Sequence, residues 1–222
     1  MKKSAILFLT FLTFIFQIIG LFGVYHHVLA KEEKVIYIDP GHGGFDGGAT
    51  SINKETLEKD ITLDISKILA YYLEQTGYKV ILTRDNDSAL ASTKSEDIYK
   101  RVKLINESNC LLYISIHANS YPSGIVKGAQ TFYKVNQENS EELAKNIMEM
   151  LKIVDPYNNR QAKSISGKYL IDKVNKVGCL VEVGFLTNNE ELNKLKNKTY
   201  QENIAYAVYL GILKYLGNSG DN

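Results

Sequence analysis

From Lys34 onward the chain alternates short apolar runs with longer amphipathic stretches. Four runs, 34–39, 79–83, 111–116 and 179–183, are five or six residues long and predict buried strands. A fifth segment, 126–134, alternates apolar and polar positions and predicts another strand, and 169–173 predicts a further short one. Between them, 56–76 places Leu57, Ile61, Ile65, Ile68, Leu69, Tyr72 and Leu73 on one helical face at spacings of three and four. Gly77 is positioned to stop that helix. Further helices are predicted over 95–107, 139–153 (before Pro156), 188–197 and 200–216, while 157–168 reads as polar and irregular.

Strands separated by helices of this length are the pattern of βαβ units. The predicted fold class is α/β: a single-domain α/β sandwich with a mainly parallel twisted sheet covered by helices on both faces. In such sheets ligands gather beyond the carboxyl ends of the strands. That is where the chain places its scarce histidines. Beyond the first thirty residues there are only two, His42 in VIYIDPGHGG and His117 in LLYISIHANS, each just past an apolar run.

Two imidazoles at equivalent strand ends suggest a metal site, for which zinc in an enzyme uses three protein ligands and leaves a position open. A third ligand should be a carboxylate near His42. Asp39, Asp46, Glu55, Glu58, Asp60 and Asp64 all compete, and spacing alone does not choose among them. Glu182 differs, because it interrupts the apolar run CLVEVGF. A carboxylate emerging from a buried strand is costly unless compensated, and burial raises its pKa toward the range useful to a general base. The alternative is a structural ion pair with a Lys or Arg. Together these residues suggest metal-assisted amide hydrolysis. There is no HExxH, no GxSxG elbow and no P-loop, and Ser51-Ile52-Asn53-Lys54 fits SxxK without its SDN and KTG partners.

Composition narrows the setting. A hydrophobic share of 45% supports a sizeable core. Without Lys2 and Lys3 the chain has 24 basic and 25 acidic residues, so no nucleic-acid partner is expected. Lys2 and Lys3 precede an uncharged, Phe/Leu/Ile-rich stretch from Ser4 to Leu29, the pattern of an export signal, and one of membrane-spanning length. Val28-Leu29-Ala30 can serve as a cleavage site. Residues 1–30 are therefore read as a signal peptide or membrane anchor, and 31–222 as a catalytic domain working beyond the cytoplasmic membrane, in the wall or tethered to the membrane's outer face. Membrane contact is expected only through the N-terminal segment. Cys110 and Cys179 sit in apolar runs that suit small buried thiols.

The motifs DPGHGG, LEKDITL, LTR, SIHANS and VEVGFLTN, in that order, resemble the zinc-dependent N-acetylmuramoyl-L-alanine amidases of the type 3 catalytic domain. The resemblance spans about Lys34 to Leu216. It implies His42, Glu58 and His117 as ligands of one Zn2+ per chain, and Glu182 as the catalytic carboxylate. It also implies hydrolysis of the amide between N-acetylmuramic acid and the L-alanine of the peptidoglycan stem peptide. Arg101 and Asn106 match the family's helix before the SIHAN strand. Within the family, the short chain and NNRQAKSISGKYL (158–170) look most like the germination-specific amidases, implying a role in muramic-δ-lactam formation in the spore cortex, in the forespore-cortex space. An activating protein partner is compatible with this reading. The chain departs from the family at Thr187 and Asn189, where Ser and Pro are frequent, and it carries no wall-binding repeats. A non-catalytic peptidoglycan-binding or regulatory module with the amidase fold is the competing reading, and a zinc hydrolase of another amide is a third. Candidate contacts to substrate peptide and glycan are Asn119 and the basic residues Arg160 and Lys163, with Lys168 nearby, since cations pair with stem-peptide carboxylates.

Overall fold

A computed structural model of the chain describes residues 33–219. The predicted segment 1–30 lies outside the described residues. Six strands form one sheet: β1 (Val35–Pro40), β2 (Lys79–Leu82), β3 (Leu112–Asn119), β4 (Gln130–Lys134), β5 (Lys163–Ile165) and β6 (Gly178–Phe185), in the order β2-β1-β3-β6-β4-β5. The first four in that order run parallel, β4 is antiparallel to β6, and β5 is parallel to β4. Six helices accompany them: α1 (Glu58–Gln75), α2 (Lys94–Glu107), α3 (Glu138–Val154), α4 (Tyr169–Lys173), α5 (Asn189–Leu195) and α6 (Lys198–Ser219).

Strand alternation divides the core in two. Ile36 and Ile38 of β1, Leu112, Ile114 and Ile116 of β3, and Cys179, Val181 and Val183 of β6 face one side, where they meet Ile61, Ile65, Leu69 and Leu73 of α1 together with α3 and α6. Each such aliphatic side chain removed from water contributes about 1.5–3 kcal/mol. Val35, Tyr37, Tyr113 and Leu180 face the other side, against Val102 and Ile105 of α2 and Leu170 and Ile171 of α4. Both faces are covered, as the sequence predicts, but the second cover is thinner. His117 and Glu182 share the parity of Tyr113 and Leu180, so both project from this thin face at the carboxyl ends of their strands. Among the described residues no helix is long and apolar enough to cross a membrane. Cys110 and Cys179 are buried free thiols.

Helix ends follow local chemistry. Thr93 caps α2, accepting from Glu96 N–H at 3.2 Å within a Thr-x-x-Glu box. Gly77 (φ +87°) ends α1 with Tyr78 N–H on the Leu73 carbonyl and Gly77 N–H on that of Glu74, a Schellman closure. The start of α1 is unusual. Leu57 offers no side-chain cap, and the N–H groups of Glu58 and Lys59 instead donate to the carbonyls of Ala49 (2.9 Å) and Gly47 (3.2 Å). The loop after His42 is thereby stitched to the helix that carries Glu58.

Two expected elements differ. Residues 169–173 form helix α4, not a strand, because Leu170, Ile171 and Val174 are all buried, a helical spacing that alternation cannot satisfy. The strand lies earlier, at Lys163–Ile165 inside the stretch read as irregular, where three mostly exposed residues add a short edge to β4. The segment 126–134 is extended in the sheet only from Gln130.

Candidate metal and catalytic site

The carboxyl ends of β1, β3 and β6 meet at a buried ionic knot. Asp39, at the end of β1, accepts from Thr83 Oγ1 (2.7 Å), Ser115 Oγ (2.7 Å) and Arg101 Nη1 (2.8 Å). Burial alone would raise its pKa, but the Arg101 guanidinium and the two hydroxyls outweigh that and hold it below the usual carboxylate value. Arg101, reaching in from α2, also donates to Asp97 Oδ2 (2.6 Å), the Pro40 carbonyl (2.7 Å) and the His42 carbonyl (2.6 Å). From beyond β2, Arg84 donates to the carbonyls of Pro40 (3.1 Å), Gly41 (2.8 Å) and Lys59 (2.8 Å). Two buried guanidiniums thus fix the backbone of 40–42, and Arg84 ties it to the first turn of α1.

On this frame His42 is held at φ +62°. Its Nδ1 pairs with Asp46 Oδ2 at 2.8 Å, which leaves Nε2 facing Glu58 Oε2 at 3.1 Å. His117 Nδ1 lies 2.8 Å from Glu58 Oε1, and the two rings stand edge to face with centroids 5.1 Å apart. Glu58 is buried and also accepts from the N–H groups of Ala49 (2.6 Å) and Ala118 (3.0 Å). Burial opposes its ionisation, but hydrogen bonds from His117 and His42 prevail and keep its pKa well below the normal range. Space is tight. A Cβ on Gly41 would sit 2.5 Å from the His117 ring, and one on Gly48 (φ +69°) would sit 2.5 Å from Glu58 Oε2.

Glu182 stands opposite His117 on the adjacent strand. The residue is half-buried, but its Oε2 is shut off from solvent and has no hydrogen-bond partner among the described residues. Burial, helped by the nearby charge of Glu58, pushes its pKa up to about 7 against the opposing pull of His117, Lys168 and His42. These side chains open onto a cavity of about 430 Å³. Asn119 and Ser120 line it, Ile98, Leu170, Ile171 and Leu180 give it an apolar wall, and Lys168 and Tyr169 stand at its side.

Ligand atoms of His42, Glu58 and His117 all lie within 4.8 Å of one another, so these three can hold a metal ion. The donor set is one that zinc accepts, and an imidazole oriented by a carboxylate, as His42 is by Asp46, is the usual support for a metal-bound histidine. The partnerless Glu182 Oε2 beside them fits a site built to receive a further polar group.

The structure brings His42, Glu58, His117, Glu182 and Asn119 around one cavity. Arg160 and Lys163 do not line it. The Arg160 guanidinium is occupied by the Lys127 carbonyl (2.8 Å), Gln130 Oε1 (2.8 Å) and the face of Phe185 (4.9 Å). Lys163 belongs to edge strand β5. Asp46, in sequence one of several rivals for the third ligand, orients His42 instead, and its position four residues after His42 in a glycine-rich turn is the signal for that role. Arg84 stands in the LTR motif, but nothing local to the sequence shows its role as a buried tie between loop and helix. Thr187 Oγ1 accepts from Tyr121 N–H at 2.8 Å and pins the loop after β3.

Comparison with known proteins agrees with this geometry. A germination-specific N-acetylmuramoyl-L-alanine amidase of Bacillus subtilis is 44% identical over 201 residues, covering 87% of this chain and 84% of that protein. The N-acetylmuramoyl-L-alanine amidase LytC of the same organism is 33% identical over 184 residues, 82% of this chain and 35% of LytC. The CwlD amidase of Clostridioides difficile, solved in complex with the GerS lipoprotein, superposes with a TM-score of 0.81 at 42% identity, covering 84% of this chain and all of that one. Residues 36–214 match the N-acetylmuramoyl-L-alanine amidase model Amidase_3, and the chain belongs to that family of peptidoglycan hydrolases.

Proposed function

We propose that this amidase is zinc-dependent, with His42, Glu58 and His117 as the metal ligands and Glu182 as the catalytic carboxylate. The observation that carries the reading is the convergence of those three donors beside the orphaned Oε2 of Glu182. A zinc ion held there would polarise the scissile carbonyl and acidify a water molecule. Glu182, in its ionised form, takes a proton from the attacking water on a carboxylate oxygen and delivers it to the departing nitrogen of L-alanine. Its raised pKa favours that second, acidic role. Asp46 keeps the Nδ1 proton of His42 in place, so that Nε2 is the atom turned to the metal. The apolar wall of Leu170, Ile171 and Leu180 limits water on the substrate side.

The proposed setting is the spore cortex, where removing the stem peptide precedes closure of muramic-δ-lactam. The 44% identity to a germination-specific amidase supports it. The catalytic domain, 31–222, is read as working outside the cytoplasmic membrane; Lys2, Lys3 and the apolar stretch from Ser4 to Leu29, in the pattern of an export signal, support this. A protein partner is also proposed, on the ground that the CwlD relative was solved bound to a lipoprotein.

Digestion of purified peptidoglycan, followed by mass spectrometry of the products, tests the reaction. The expected products are uncut glycan strands whose N-acetylmuramic acid residues carry a free lactyl carboxylate, and stem peptides with a free L-alanine amino terminus. Cleavage inside the peptide, or of a glycosidic bond, would contradict the assignment.

A further inference from the structure

The cavity that holds the candidate metal site has Lys168 as the only lysine or arginine among its lining residues. Four other cations close to the site are committed. Lys94 Nζ is 2.6 Å from Asp46, Lys59 Nζ is 2.6 Å from Asp87, and Arg84 and Arg101 are spent on backbone carbonyls and Asp39. Lys168 is exposed, and no hydrogen bond or ion pair from its ammonium occurs among the described residues. Its backbone, in contrast, is anchored. Asp172 accepts from Gly167 N–H through Oδ2 at 2.8 Å, and Asp172 N–H donates to the Lys168 carbonyl at 2.9 Å. Directly after it, Leu170 and Ile171 turn into the cavity wall. A fixed backbone beside an apolar wall, bearing an uncommitted ammonium, is suited to take an anion from a ligand.

Resting on the reaction proposed above, we infer that Lys168 forms a subsite for a carboxylate of the stem peptide close to the cut bond, and that the enzyme thereby prefers peptides whose second residue carries a free carboxylate over those in which it is amidated. With the scissile amide at Glu182, the second residue of the stem lies about 7 Å further along an extended chain. The charge of Lys168 already bears on Glu182 across the same cavity. A carboxamide in that place keeps the shape of the group and loses the charge. Arg160 and Lys163, basic residues of the same stretch of sequence, cannot replace Lys168 here, because neither lines the cavity.

Steady-state cleavage of two muropeptides that differ only in carboxylate or carboxamide at the second residue provides the test. Wild-type protein is expected to show a KM about tenfold lower for the carboxylate form, the effect of one charge-assisted contact at a partly exposed site. Lys168→Met should raise the KM for the carboxylate form to that of the carboxamide form, and Lys168→Arg should keep the difference. Equal KM values in the wild type, or a Lys168→Met variant that still discriminates, would overturn the subsite. A Lys168→Met variant that changes kcat alike on both substrates would make the lysine an electrostatic neighbour of Glu182 and also overturn it. Failure of the wild type to cut either substrate would strike the proposed reaction itself, a result distinguishable from cutting both equally.

Discussion

Replacing Glu182 by Gln is expected to lower kcat by about 10²–10⁴-fold, the usual worth of a positioned acid–base group. Zinc content should remain that of the wild type, because Glu182 is not one of the three converging donors. Folding stability should be retained as well. Glu182 Oε2 has no hydrogen-bond partner to lose, and a neutral amide at a site that resists ionisation removes a desolvation penalty. The pH dependence has a definite sign. In the proposed reaction Glu182 acts first as a base and must be ionised; burial holds its pKa up to about 7, and a cation on the neighbouring donors would pull it lower. In the wild type kcat/KM therefore falls as pH drops through that ionisation, and the residual activity of the variant loses this acid limb. Release of stem peptide followed by mass spectrometry, with metal analysis on the same preparations, reads both quantities. Wild-type turnover in Glu182→Gln would remove the residue from the mechanism.

Arg101→Met is expected to cost about 3–5 kcal/mol of stability, the range for removing one partner of a buried ionic group. Its side chain is 2% exposed and that of its partner Asp39 is 1%. Removing the guanidinium leaves the Asp39 carboxylate with two hydroxyls and no cation, leaves Asp97 without its 2.6 Å partner, and takes donors from the carbonyls of Pro40 and His42. A shift of the His42 loop moves one proposed ligand relative to the other two, so zinc affinity should fall by about 10–100-fold in the fraction that folds. Urea unfolding and metal titration measure the two losses separately. A variant within 1 kcal/mol of the wild type that binds zinc equally well would show that Arg84 alone fixes the loop.

Much of this arrangement is visible in one dimension for a simple reason. Buried parallel strands must be apolar throughout, so a histidine just past such a run, or a carboxylate within one, marks a position where the pattern yields to chemistry. His42, His117 and Glu182 were legible in that way. Glu58 was not separable from Glu55 by spacing, because its selection depends on how α1 folds back over β3 to meet His117, a tertiary contact. The resemblance to a family supplied that choice. Arg84, in LTR, and Arg101, in the helix before the SIHAN strand, entered only through the family resemblance: arginine is ordinarily a surface residue, and only three-dimensional contacts show that these two bind the carbonyls of a single turn. The stretch after Pro156 misled twice. A short edge strand has too little apolar content to register, and a helix as short as α4 has too few residues to separate a period of 3.6 from one of 2. Basic residues drew attention to Arg160 and Lys163, but the first is consumed by the chain's own carbonyl and aromatic groups and the second lies on an edge strand.

Whether His42, Glu58 and His117 hold a zinc ion is tested by measuring zinc per chain on the purified protein beside His117→Ala. About one zinc ion per wild-type chain is expected, and its loss from the variant, with the variant still folded. Zinc retained without His117, or a folded and active wild-type protein that contains none, would contradict this assignment.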